Sequence, residues 1–247
     1  AAQLEEAYRK SQDLTRRKSQ FIQNTSHELR TPLTFVRGYL ELLLNNELGP
    51  LTDQQCQVLN IMNDKSLQLV ELVNDIASLL DVELDSADVE PVDLVDIVAH
   101  SIMTQRQRAQ EMGLSIETEW PAFPPIVHGS PSRLIQVFYH LLDNAIKFNV
   151  EGGRVNVKLW CQDEKAYVRI ADQGIGIPPE EQERIFDRFY QIDGSTTRHF
   201  GGTGLGLAIA KETIEAHKGQ ITVESSGVEN EGAVFTVTLP LLQETKT

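Results

Sequence analysis

Apolar residues recur along the first third of the chain at alternating steps of three and four. Leu4, Ala7, Ser11, Leu14, Lys18 and Phe21 form one such seam with two polar interruptions, and Ile22, Leu29, Val36 and Leu43 continue it one residue out of phase. The spacing predicts a single long helix over residues 1–46 with a stripe of coiled-coil type. The phase shift alters the local supercoil, which leaves two readings, a stalk that transmits strain or an ordinary dimer stalk with imperfect heptads. Asn45, Asn46, Gly49 and Pro50 stop this helix, and Thr52-Asp53-Gln54-Gln55 has the form of a capping box that opens the next. The second helix is expected to run to about Val82, with Leu59, Met62, Leu69, Val73, Ile76 and Leu80 as its stripe and Ser66 as a polar gap. Two such helices make an antiparallel hairpin. One hairpin cannot cover both stripes, so a second copy is expected to complete a four-helix bundle and make a homodimer.

The period then breaks. Residues 81–88 are polar and lack a seam, which places a domain boundary and linker there. From residue 88 to 241 helical and alternating stretches interleave. Extended residues 89–93 precede a helix over 94–112, a strand over 114–120 and, past Pro121, Pro124 and Pro125, a short strand at 126–128. Ser130-Pro131 is a helix start with a cap residue and a proline at the first helical position. Residues 155–160 and 167–171 alternate as a hairpin, 178–189 includes a further helix, 204–217 is the last helix, and 221–225 and 233–239 close the sheet. Helices segregated on one face of a mixed sheet predict an α/β sandwich.

Charge and composition narrow the function classes. A formal net charge of -14 and a pI near 4.8 argue against nucleic acid as a partner. The two cysteines, Cys56 and Cys161, have neither metal-ligand spacing nor the number of a disulfide framework, as in a reducing cytosol. No apolar run reaches membrane-span length and no signal peptide opens the chain. The first residues read as mid-helix, so a sensory or membrane segment is expected upstream of a cytoplasmic part.

Five patterns carry candidate chemistry. In Phe21 to Leu33, His27 falls off the apolar stripe beside Glu28, and Pro32 predicts a bend just after it. An exposed imidazole with a neighbouring carboxylate suits a nucleophile that meets a large partner. In Leu141 to Phe148, Asn144 and Lys147 share a helix face, an amide for magnesium and an ammonium for phosphate. In Ala171 to Ile177, Asp172 ends a strand and glycines allow backbone to approach a flat ligand. Ile185 to Tyr190 supplies aromatics that brace a pocket or fill a core. In Gly201 to Ala210 a glycine-rich loop enters a helix start, which offers N–H groups to phosphates, without the Gly-Lys-Ser/Thr ending of a Walker loop. Each pattern alone also has an ordinary structural reading.

Together and in this order, the five resemble the H, N, first glycine, F and second glycine boxes of sensor histidine kinases of two-component systems, over roughly residues 15 to 241. The resemblance implies a signalling coiled coil at 1–20, a dimerisation and histidine-phosphotransfer hairpin at 21–84, a Bergerat-type (GHKL) ATP-binding sandwich at 88–241 and a tail at 242–247. It implies His27 as phosphoacceptor, Glu28 as acid/base and Thr31 as the residue positioning water in a phosphatase reaction. ATP contacts would come from Asn144, Lys147, Phe148, Asp172, Gly174, Gly176, Ile177, Phe189, Arg198, Gly202, Thr203, Gly204, Leu205, Gly206 and Leu207. Magnesium would be held by Asn144, with His140 as a further candidate, and residues 190–203 would form a mobile lid. The implied partners are a second copy and the receiver domain of a response regulator. Three departures stand out. His140 replaces the usual asparagine, Gln173 sits within the first glycine box, and Gln191 replaces a common arginine. An ATPase clamp of the same fold and a non-catalytic nucleotide-binding dimer are the alternatives. The clamp needs a carboxylate at the place of His140.

Overall fold

A computed structural model describes residues 25–26, 28–80, 89–192 and 202–242. The expected coiled coil at 1–20, His27, the linker at 81–88, Arg198 with residues 193–201 of the expected lid, and residues 243–247 of the tail lie outside them. The chain divides into two compact units, residues 1–81 and 82–247.

In the first unit, α1 is helical at residues 25–26 and 28–44 and runs unbroken past Pro32. Asn46 ends it in the left-handed region (φ 60°), where a short polar side chain is tolerated, and its Oδ1 accepts the N–H of Leu51 at 3.3 Å. The capping box forms as expected: Thr52 N–H donates to Gln55 Oε1 (2.9 Å) and Gln55 N–H to Thr52 Oγ1 (3.3 Å), opening α2, Asp53–Leu80. Arg30 Nη2 reaches across to Asn74 Oδ1 at 2.6 Å, fixing the antiparallel register of the pair. The stripes are only partly covered. Leu40 and Val73 are buried, while Leu29, Val36, Met62 and Leu69, expected as seam residues, are exposed in the single chain.

The second unit is a five-stranded sheet in the order β2-β4-β5-β7-β6, with three helices on one face and a separate two-stranded sheet, β1 with β3. In chain order these are β1 (Glu90–Asp93), α3 (Leu94–Glu111), β2 (Ser115–Glu119), β3 (Ile126–Gly129), α4 (Pro131–Lys147), β4 (Arg154–Gln162), β5 (Lys165–Ala171), α5 (Gly206–Ala216), β6 (Gln220–Glu224) and β7 (Val234–Pro240). Among the described strands only the β2–β4 pair is parallel. Alternation directs Val155, Val157, Leu159, Val168, Ile170, Phe235 and Val237 inward, against Leu134, Phe138, Leu141 and Ile146 of α4.

Two local expectations change. Residues 178–189 form two short 3-10 turns, Pro179–Glu181 and Arg184–Phe186, instead of an α-helix. The segment ends at Phe189, left-handed at φ 64°, whose N–H is tied to Gly204 O at 2.9 Å. Ser130 starts α4 without a side-chain cap bond; its hydroxyl meets Ser132 Oγ at 3.3 Å. The cap that does form is Asp93 at α3, whose Oδ1 accepts from Val95 and Asp96. Among the described residues, no helix is long and apolar enough to cross a membrane.

Candidate functional site

Helix α4 fixes one wall of the site. Its buried face of Leu134, Val137, Phe138, Leu141, Leu142, Ala145 and Ile146 sets the rotation of the helix, which leaves His140, Asn144 and Lys147 half-buried along one edge. The last turn is closed by Phe148 N–H to Asn144 O (3.0 Å) and by Asn149 Nδ2 to Ala145 O (3.0 Å). Lys147 complements the negative end of the helix, and its Nζ stands 4.8 Å from the Phe148 ring centroid.

The first glycine box packs directly on that helix end. Ile175 N–H donates to Phe148 O at 3.1 Å, and a Cβ at Gly174 would fall 2.1 Å from the same oxygen. Only glycine permits this approach. Asp172, at the end of β5, donates its N–H to Ala233 O (3.0 Å) and accepts at Oδ1 from Gly174 N–H (2.9 Å) and Ala233 N–H (3.1 Å). Both side-chain bonds fall on Oδ1. Burial pushes the Asp172 carboxyl above the usual carboxylate range, and the N–H donors oppose that shift by a smaller amount. Gly176 and Ile177 are held from outside the box. Ser225 Oγ accepts the Ile177 N–H (2.9 Å) and donates to Gly232 O (2.6 Å), and Gln182 Nε2 bridges Ile177 O (3.1 Å) and Ser225 O (2.6 Å). Sequence reasoning missed Ser225 and Gln182, because no local spacing links residues that meet only when β6 and β7 close the sheet.

The second glycine box forms the other wall. Thr203 Oγ1 accepts the N–H of the buried Leu205 (3.2 Å), and α5 begins at Gly206 without a side-chain cap. Among the described residues no side chain caps this end, so the first-turn N–H groups and positive dipole end at Gly206 and Leu207 suit an anion. Gly204 sits at φ +70°, with its carbonyl accepting the Phe189 N–H at 2.9 Å. A Cβ on Gly202 would stand 3.0 Å from Lys147 Nζ, so the ammonium lies against this loop. His140 packs against Gly206, with Nδ1 2.8 Å from where a Cβ would be. The N-box and both glycine boxes thus converge at one end of α4. Phe189, expected to brace the ligand, is 66% exposed.

The hairpin residues are a separate group. Glu28 and Thr31 are exposed and three residues apart, about one turn of α1, and the Arg30 carbonyl between them accepts Thr34 Oγ1 at 2.9 Å.

Comparison with known proteins matches two segments of the chain. Residues 129–243 match the family described as Histidine kinase-, DNA gyrase B-, and HSP90-like ATPase, and residues 17–83 match the His Kinase A (phospho-acceptor) domain. The chain is 37% identical over 227 residues to the circadian input-output histidine kinase CikA of Synechococcus elongatus, covering 90% of this chain and 30% of that protein. It therefore spans less than a third of that relative's length. Among solved structures, the mycobacterial sensor histidine kinase MprB is 33% identical at a TM-score of 0.56, covering 63% of this chain and 99% of that one. Full-length ShkA in complex with AMPPNP is 30% identical at a TM-score of 0.69, covering 90% of this chain and 46% of that one. On the residues that converge at α4, the two matched domains and these relatives, the chain belongs to the sensor histidine kinases of two-component systems.

Proposed function

We propose that this chain is the catalytic region of an ATP-dependent protein-histidine kinase that phosphorylates itself on His27. One observation carries the reading: the last turn of α4 touches both glycine boxes, through Phe148 O on one side and Lys147 on the other. The AMPPNP of the ShkA complex supports a nucleoside triphosphate as the ligand. Asp172 accepts from the adenine amino group through the oxygen its backbone donors leave over. Gly174, Gly176 and Ile177 flank the base, and Phe148 and Phe189 border it. Lys147 and the Gly202–Leu207 loop and helix start neutralise the phosphates, with Arg198 as a further cation.

Among the described residues no group of three His, Cys, Asp or Glu side chains is placed to hold a metal. The amide oxygen that Asn144 offers on the half-buried edge of α4 fits magnesium, which keeps water ligands and binds through one or two protein groups plus substrate phosphates. Asn144 would hold it, with His140 one turn away. Bound there, the ion would neutralise charge that develops on the phosphates.

His27 attacks the γ-phosphorus in line, the P–O bond to the β-phosphate breaks, and ADP leaves. Glu28 orients the imidazole and takes its proton. Positioning and charge neutralisation supply most of the rate. The phosphohistidine then passes its phosphoryl group to an aspartate of a response-regulator receiver domain. In a second, phosphatase, activity Thr31 with Glu28 positions a water that attacks the regulator's aspartyl phosphate, breaking its P–O bond and releasing inorganic phosphate and the free aspartate. The protein acts as a homodimer, and the exposed seam residues Leu29, Val36, Met62 and Leu69 support that.

Incubation with γ-labelled ATP and magnesium tests this. Acid-labile, alkali-stable label that disappears in His27→Gln is the expected result. Asn144→Asp should lower labelling at least ~100-fold, because it puts a negative charge beside the phosphates where the reacting charge must be neutralised. Phosphate release without labelled protein would instead indicate an ATPase clamp, nucleotide binding with neither a scaffold, and label on serine or threonine would overturn the assignment.

A further inference from the structure

Residues 186–191 cross beside the second glycine box in a conformation that costs energy. Phe189 holds φ 64° although it is a bulky residue with a largely exposed ring, and such a backbone persists only where its surroundings over-determine it. Its own N–H is committed to Gly204 O at 2.9 Å. On the far side, Gln191 Nε2 donates to Gly202 O at 2.8 Å. On the near side, Arg188 makes a two-pronged ion pair with Glu212 of α5, Nε to Oε1 at 2.7 Å and Nη2 to Oε2 at 2.9 Å. The parallel fork is the geometry in which a guanidinium and a carboxylate fix each other's orientation as well as their distance. Glu212 lies on the second turn of α5, the helix that follows the second glycine box.

We propose that the Arg188–Glu212 pair is a positioning element for nucleotide binding: it holds the strained Phe189 turn against α5 and thereby fixes the Gly202–Gly206 loop beside Lys147. The pair touches no phosphate itself. Its effect passes through the Phe189–Gly204 hydrogen bond, so loss of the pair loosens the loop while the sheet and its core stay intact. This rests on the nucleotide reading of the site above and adds a determinant outside the five sequence boxes, Glu212.

The test uses the full chain with Arg188→Glu, Glu212→Arg and the double charge swap. Binding of a fluorescent ATP analogue with magnesium is read alongside the KM and kcat of labelling. Each single variant is expected to weaken analogue binding and raise KM about three- to tenfold, the range for a bidentate but partly exposed pair, with kcat within twofold. The double swap should return both constants to within about twofold of wild type. A structural defect alone would lower active fraction and kcat and would not be rescued by reversing the charges. Single variants with wild-type binding, or a double variant no better than the singles, would overturn the proposal. Wild-type chain that binds the analogue but takes no label would refute the kinase reading and leave the positioning role open to the binding arm alone. Wild-type chain that binds no analogue would refute both.

Discussion

In the sheet domain, five strands and three helices enclose a continuous apolar core in which Leu94, Leu134, Phe138, Leu141, Leu142 and Ile146 are completely shielded. In the hairpin, Leu40 and Val73 are the buried apolar side chains among the described residues, beside the polar Ser26, Ser66 and Asp75. Phe35 and Tyr39 are 66% and 63% exposed on the same hairpin. The difference follows from geometry. A sheet offers a whole face to three helices, whereas each of two helices offers the other only a stripe. Among the described residues the sheet domain encloses its own core, and the hairpin leaves apolar surface that further apolar surface would cover.

The largest effect that could break this comparison is on self-association. Replacing Val36 and Leu69 by serine removes four large side chains from a symmetric interface, on the order of 10⁴-fold in dimer dissociation constant at ~1.5 kcal/mol each. Sedimentation should show a monomer that still binds nucleotide. A variant that remains dimeric would mean that another surface joins the copies. Next in size is Gly174→Ala, which drives a methyl group into the Phe148 carbonyl. We expect a loss of about 3 kcal/mol in the sheet domain, seen as a lower melting temperature by circular dichroism, with dimerisation intact. An unchanged melt would contradict the packing of the first glycine box on α4.

The smallest effect concerns His217, which is buried where α5 ends. Its Nδ1 lies 2.7 Å from Thr213 O and its Nε2 accepts the N–H of Ser130 at 3.0 Å, a pairing that requires the neutral ring with its proton on Nδ1. Burial lowers its proton affinity, the Thr213 bond partly restores it, and Arg133 lowers it further. Because the folded-state value lies below the unfolded one, this stability is fully present above the ordinary imidazole value of about 6.5 and is lost as pH falls through the folded value. The sheet domain should melt a few degrees lower at pH 5.5 than at 7.5, and His217→Gln should flatten that dependence. A variant with the wild-type slope would assign the effect to other groups.

Much of this was legible in local sequence. The Thr52–Gln55 box, the α4 stripe, the strand alternation and the three nucleotide boxes each depend on residues a few positions apart. The seam of α1 and α2 was equally legible, but its meaning was not: the same spacing describes residues covered by a partner helix, such as Val73, and residues left open, such as Leu69. The 178–189 segment failed as a helix prediction because its conformation is set by the ties of Arg188, Phe189 and Gln191 to α5 and the glycine loop. Nothing within the segment announces those ties.

By itself the sequence determined the periods, the Thr52–Gln55 cap and the glycine-rich and polar boxes, because propensity and amphipathicity act over one or two turns. Only the tertiary structure decided that Phe148 meets the first glycine box and Lys147 and His140 the second, that Ser225 and Gln182 brace Ile177, and that Glu212 grips Arg188. Those contacts join residues far apart in the chain, and they form only when the sheet closes and burial of its apolar face fixes where each helix end must lie.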